Sequence, residues 1–217
     1  MATARKLLIA TSNAGKRREL ESAFAALGWE CIGPDALGID SPEETGATFL
    51  ENALLKARHG AGRCDTWVLA EDSGLCVPAL DGAPGVYSAR FAGDGASDAE
   101  NLTLLLQRLE GLAPSQRQAY FVCVMILLRG PRDPDPLVTR GVWRGTIAQQ
   151  ARGVGGFGYD PIFLPQGREG SSAAEMSLEE KLQESHRGRA LRQLLAEMQQ
   201  ESIQSLLSSS HPPSTRS

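Results

Sequence analysis

Four cysteines and three histidines are all that a chain of 217 residues offers for soft metal ligands, and neither set is clustered. Cys31, Cys64, Cys76 and Cys123 contain no CxxC pair, and His59, His186 and His211 stand far apart. Structural zinc sites and disulfide frameworks both need short, recurrent spacings, so four reduced thiols are the expectation. Positive charge is also scarce, with 22 Lys and Arg against 26 Asp and Glu and a net charge of −4. Proteins that grip a nucleic-acid backbone usually carry a basic face, so no nucleic-acid partner is expected. A small phosphorylated substrate stays open, because a few local cations suffice. No run approaches the roughly 18 apolar residues of a membrane span, and no membrane partner is expected. MATARKLLIAT leads straight into a strand-like segment without the architecture of a signal peptide, which points to the cytosol.

What is present has mixed periodicity. Lys6–Thr11, a stretch near Glu30–Gly33 and Thr66–Ala70 read as short buried strands that end in polar residues. Leu20, Ala23, Phe24 and Leu27 form one helical stripe, and Leu50, Ala53, Leu54 and Ala57 a second. Ser97 and Glu100 have capping-box spacing before Leu102, Leu105, Leu106 and Leu109. Ala119–Leu128 and Leu137–Ile147, joined by the turn RGPRDPDP, read as a long antiparallel hairpin. A final helix carries Leu191, Leu194, Leu195 and Met198. The expectation is a mixed α/β protein, one domain over residues 1–205, with two lobes on one long sheet and a cleft between them. Residues 206–217 are polar and rich in Ser and Pro, as a disordered tail would be.

Four segments can carry chemistry. Thr11, Ser12, Asn13, Ala14, Gly15 and Lys16 form a strand-to-helix turn, where free N–H groups and the helix dipole suit an anion. A simple helix cap is the alternative, and a Walker A loop is excluded because position 10 is Ala and Arg17 follows Lys16. Glu71 and Asp72 follow TWVLA, where one carboxylate would face a cleft and the other turn away. Such oxygen ligands suit Mg²⁺, with Glu43 or Glu44 as a further acid; a solvated acidic doublet is the alternative. GVGGFGYDP satisfies GxGxxG, but Pro161 disfavours the helix that a dinucleotide motif must open. It suits close approach to a flat ligand, or a plain connection. In SLEEKLQESHRGR, Ser177 and Glu180 can cap a helix, while Lys181, His186 and Arg187 can hold a base edge or phosphates, unless the helix is merely solvated.

In order, TSNAGK, EETGATFLENALLKAR, AEDSGL, LDGAPGVYSARFAG, GGFGYDPIF and SHRGRAL resemble the inosine triphosphate pyrophosphatase family, from Lys6 to about Met198. The resemblance implies attack of water on the α-phosphorus of an inosine or xanthosine triphosphate, giving monophosphate and pyrophosphate. It makes Asp72 the catalytic carboxylate and, with Glu43, a holder of Mg²⁺, with Glu44 able to trade places with Glu43. It gives the phosphates to Thr11–Lys16 with Lys56 and Ser73 nearby. It has Phe157 stack on the purine, Gly158, Tyr159 and Asp160 complete that wall, and Lys181, His186 and Arg187 read the 6-oxo edge. It also implies a homodimer, with Val86, Tyr87 and Phe91 as the expected contact. Glu71 departs from the pair of aspartates common in bacterial members and is expected to alter how the metal is held. A Maf-type pyrophosphatase and a nucleotide sensor without turnover are the rival readings.

Overall fold

The computed structural model describes residues 5–168 and 170–209, the side chains of 201–209 excepted. One six-stranded sheet has the order β2-β1-β3-β4-β5-β6. β1 (Arg5–Ile9) runs parallel to β2 (Trp29–Ile32) and to β3 (Trp67–Cys76). β4 (Gln118–Leu128) is antiparallel to β3 and pairs with β5 (Leu137–Ile147) in the expected long hairpin, to which β6 (Phe163–Pro165) is added. β3 and β4 are buried on both faces, which is why β4 reads as a nearly continuous apolar run, whereas β3 interrupts its run with Glu71, Asp72 and Ser73.

α1 (Ala14–Ala25) and α5 (His186–Ser209) cover one face, where Leu20, Phe24, Ala190, Leu191 and Leu194 pack on Leu7, Ile9, Leu69, Cys123 and Met125. α2 (Phe49–Ala61) covers the other, its Ala53, Ala57 and Ala61 packing on Leu8, Val68, Ala70, Val122 and Val124. α3 (Asp98–Arg108) brings Leu105 and Leu109 to a third cluster with Leu75, Phe121, Trp143 and Phe163. α4 (Leu178–Glu184) precedes α5. The capping boxes of Ser97 with Glu100 and Ser177 with Glu180 are both formed, and Thr48 with Glu51 makes a third that opens α2.

Three expectations need correction. β3 does not stop at Ala70: pairing with β4 continues to Cys76↔Tyr120, so Glu71 and Asp72 lie mid-strand instead of at a strand end. Their charges survive there because each meets a buried cation, as described below. Leu50 and Leu54 face outward, 47% and 36% exposed, because α2 lies on the sheet through small residues and turns its polar Asn52 and Lys56 inward. Leu27 follows the end of α1 and is half exposed. α5 ends at Ser209, and the rest of the expected tail, residues 210–217, lies outside the described residues.

Candidate active site

The two-residue period of a strand sends Leu69 and Glu71 to the α1/α5 face and Ala70 and Asp72 to the α2 face. This alternation creates two polar clusters, one on each side of β3. On the α2 side, Lys56 Nζ lies 2.7 Å from Asp72 Oδ1 and 2.9 Å from Glu44 Oε1. Arg90 Nη1 donates to Glu44 Oε2 at 3.3 Å. Burial raises the Asp72 carboxyl above its usual range, and the neighbouring Lys56 ammonium only partly offsets this. Burial also acts against the Lys56 ammonium, but Asp72 and Glu44 outweigh it and hold its pKa above the ordinary value. Glu44, pressed upward by burial, ends below its ordinary value through Lys56 and Arg90.

The phosphate-loop candidates sit beside this cluster. Asn13 does cap α1, its Oδ1 accepting the Lys16 N–H at 2.9 Å, and Thr11 Oγ1 accepts from Asn13 N. By helix geometry the Ala14 and Gly15 N–H groups have no intrahelical partner. Capping and anion binding are therefore compatible. A cavity of about 710 Å³ is lined by Thr11, Ser12, Asn13 and Lys16 on one side and by Glu43, Glu44, Lys56, His59 and Arg90 on others. Glu43 lines it as an exposed residue, whereas Glu44 shares Lys56 with Asp72.

The cluster on the other face joins the remaining candidates. Arg187 Nε and Nη2 donate to Glu71 at 2.7 and 2.9 Å, Nη1 donates to Glu19 at 2.7 Å, and Nη2 donates to Ser73 Oγ at 3.1 Å. Four of the five guanidinium N–H groups are thereby engaged. Burial would lift the Glu71 carboxyl, but Arg187 and Lys16 override it and hold it well below the usual carboxylate range. Lys16 reaches Glu71 at 3.4 Å and so stands at the junction of the two clusters. Lys181 donates to Asp160 Oδ2 at 2.6 Å, and Asp160 accepts the Phe157 N–H as well. The Phe157 ring lies 5.2 Å from Lys181 Nζ and 5.6 Å from the Arg187 guanidinium carbon. A Cβ on Gly15 would come within 2.8 Å of that ring, so this glycine permits the aromatic to close on α1.

Ser73 bonds to Glu71 and Arg187, on the face of β3 opposite Asp72 and Lys56. Glu71 faces away from Asp72 and Glu44 and accepts from Arg187 with both oxygens. Tyr159 is buried in the third core cluster with its hydroxyl donating to Ser88 O, whereas Phe157 is half-buried. His186 stacks on Phe121 with centroids 4.7 Å apart, and its Nδ1 has no partner among the described residues. Burial, reinforced by Arg187, holds its pKa well below the ordinary value, so the ring is neutral. Of the expected dimer contact, Tyr87 is 59% exposed while Phe91 packs inward.

Sequence reasoning missed Glu19, Asn52, Arg90 and Asp98. Asp98 Oδ2 accepts the Gly158 N–H at 2.6 Å and so ties the aromatic loop to α3. Glu19 carried one signal: it lies four residues before Ala23 on the apolar stripe of α1, where a charge demands a buried partner.

Comparison with known proteins places this geometry. Residues 7–197 match the model of the Ham1 family. A dITP/XTP pyrophosphatase of Erwinia tasmaniensis is 52% identical over 197 residues, covering 90% of this chain and 95% of the relative. That of Escherichia coli K12 is 50% identical over 190 residues, covering 88% and 96%. Among solved structures, a HAM1 protein from Coxiella burnetii superposes with a TM-score of 0.82 at 42% identity, covering 90% of this chain and 99% of the other. The Ham1 protein of Staphylococcus aureus gives 0.79 at 40% identity, covering 91% and 100%. No helix among the described residues is long and apolar enough to cross a membrane. The chain belongs to the Ham1 family.

Proposed function

We propose that this protein is a dITP/XTP pyrophosphatase, which cleaves deoxyinosine, inosine and xanthosine triphosphates between the α- and β-phosphorus and so clears them from the nucleotide pool of the cytosol. The observation that supports the reading most is the Lys56 ammonium shared by Asp72 and Glu44 beside the start of α1, in a chain half identical to enzymes of that name. The 710 Å³ cavity is taken as the cleft between two lobes.

A divalent cation fits the acidic pair. Asp72 and Glu44 already converge on one cation, and both offer the hard oxygen donors that Mg²⁺ prefers. Among the described residues no group of three or more His, Cys, Asp and Glu converges, so two carboxylates and the substrate phosphates would make up the ligand set. Glu44 takes this role in place of Glu43. Mg²⁺ held there would neutralise phosphate charge and polarise the α-phosphorus.

The side chains account for the rest. Lys16 and the Ala14 and Gly15 N–H groups, with the Thr11 and Ser12 hydroxyls, hold the phosphates at the positive end of α1. Asp72, its pKa raised by burial, accepts a proton from the water that attacks the α-phosphorus. The oxygen bridging the α- and β-phosphorus leaves with pyrophosphate, its charge met by Lys16, Lys56 and Arg90. Lys181 has ammonium hydrogens beyond the one given to Asp160, and one Arg187 N–H remains, so the purine edge meets donors. A 6-keto oxygen pairs with them. The 6-amino group of adenine cannot, and an unpaired buried donor costs selectivity of orders of magnitude.

Phe157 carries the stacking. Stacking of a base on an aromatic is worth about 1–3 kcal/mol, so Phe157→Ala is expected to raise KM for deoxyinosine triphosphate about ten- to a hundredfold, with kcat changed much less. Steady-state kinetics reads this directly, and an unchanged KM would remove Phe157 from the purine site. A homodimer completes the reading, with the exposed Tyr87, Leu50 and Leu54 as its apolar candidates. Sedimentation at twice the 23.2 kDa chain mass supports it, and a monomer under the same conditions rejects it.

A further inference from the structure

Asn52 is completely buried on the face of α2 that otherwise meets the sheet through alanines. An amide in that position must find partners or cost stability, and both ends of this one are engaged. Its Oδ1 accepts the N–H of Gly46 at 2.8 Å. Its Nδ2 lies 3.4 Å from Asp72 Oδ2 and donates to it. Asp72 Oδ1 meanwhile receives Lys56, one turn further along the same helix. Both oxygens of the carboxylate are thus held by α2.

The Gly46 bond gives the amide a second hold. Gly46 lies two residues after Glu44, and a Cβ at this position would come 2.6 Å from Asn52 Oδ1 and 2.6 Å from Glu51 Cβ. The absence of a side chain lets the loop lie directly on α2. One side chain therefore fixes the loop that carries Glu44 and the carboxylate of Asp72 together. We propose that Asn52 is a positioning residue of the reaction, setting the separation and orientation of Glu44 and Asp72 by bonding Gly46 N–H and Asp72 Oδ2 with one amide. This rests on the reading of Asp72 and Glu44 as the pair that holds the divalent cation.

Outer partners of metal ligands are typically worth about 10–100-fold in affinity or activity. Asn52→Ser and Asn52→Ala are both neutral and both remove the amide that joins Gly46 to Asp72. Both are made in the full chain, with melting curves to confirm the fold. Kinetics on deoxyinosine triphosphate is paired with calorimetric titration of Mn²⁺ into enzyme holding a non-hydrolysable α,β-methylene analogue. The expected result is a kcat lowered about 10–100-fold in each variant, a KM within about threefold of the parent and Mn²⁺ affinity weakened by a factor similar to that in kcat. A residue that only staples the loop would lower the melting temperature and leave kcat and Mn²⁺ affinity at parental values, which overturns the proposal. Loss of the fold in both variants overturns it too, since Asn52 would then be structural. If the parent released no pyrophosphate, the reaction assignment would fall, and Mn²⁺ affinity would still decide the role of Asn52.

Discussion

Asp72→Asn is expected to lower kcat on deoxyinosine triphosphate by about a thousandfold, since a positioned general base contributes on the order of 10²–10⁴ and this one also holds the cation. The change is nearly isosteric. The amide oxygen can still accept from Lys56, so the ammonium is not stranded. Burial already disfavours the charged carboxylate here, so removing its charge relieves a cost of the fold. The bond from Asn52 Nδ2 is lost when one carboxylate oxygen becomes an amide nitrogen, which offsets that relief, so the melting temperature should stay within about 4 °C of the parent while turnover disappears. A variant with near-parental kcat would show that another group takes the proton and that the acidic pair has been misassigned.

The other large effect falls on the opposite face of the same strand, and on stability. Glu71 is 1% exposed and Arg187 3%, and the pair is bidentate. Glu71→Ala leaves the Arg187 guanidinium buried with Glu19 and Ser73 as its remaining partners. Removing one member of a buried pair costs about 3–5 kcal/mol. For a chain of this size each kcal/mol shifts the melting temperature by about 2–4 °C, so a fall of about 6–20 °C is expected by calorimetry. The sign of the pH dependence follows from the same pair. The Glu71 carboxyl is held below its ordinary value in the fold, so its contribution is complete above pH 4.5 and is lost as pH falls from there. A melting temperature within about 2 °C of the parent would mean that water or a shifted Glu19 replaces the lost carboxylate.

Much of this arrangement was legible along the chain because its signals are local. The hairpin of β4 and β5 follows from two apolar runs around RGPRDPDP, and the start of α3 from Ser97 and Glu100, three residues apart. A cap at the start of α1 could be expected at Ser12 or Asn13 because a cap acts within one turn, and Asn13 fills it. The residues that were missed act across the fold. Glu19 meets Arg187 168 positions later, and Asn52 meets Asp72 through a helix–sheet contact. A single polar residue in a helix gives no sign of which distant charge it serves. The extent of β3 was misread for a related reason. Two adjacent acids look like the end of a strand until Lys56 and Arg187, from two different helices, are seen to meet one each.

The central claim is the reaction and its base selectivity. The most direct measurement is pyrophosphate release from deoxyinosine triphosphate beside deoxyadenosine and deoxyguanosine triphosphates, with Mg²⁺ and with a chelator. The account predicts release from deoxyinosine triphosphate far faster than from deoxyadenosine triphosphate, abolished by the chelator. Equal rates on all three, or release that persists without a divalent cation, would contradict it.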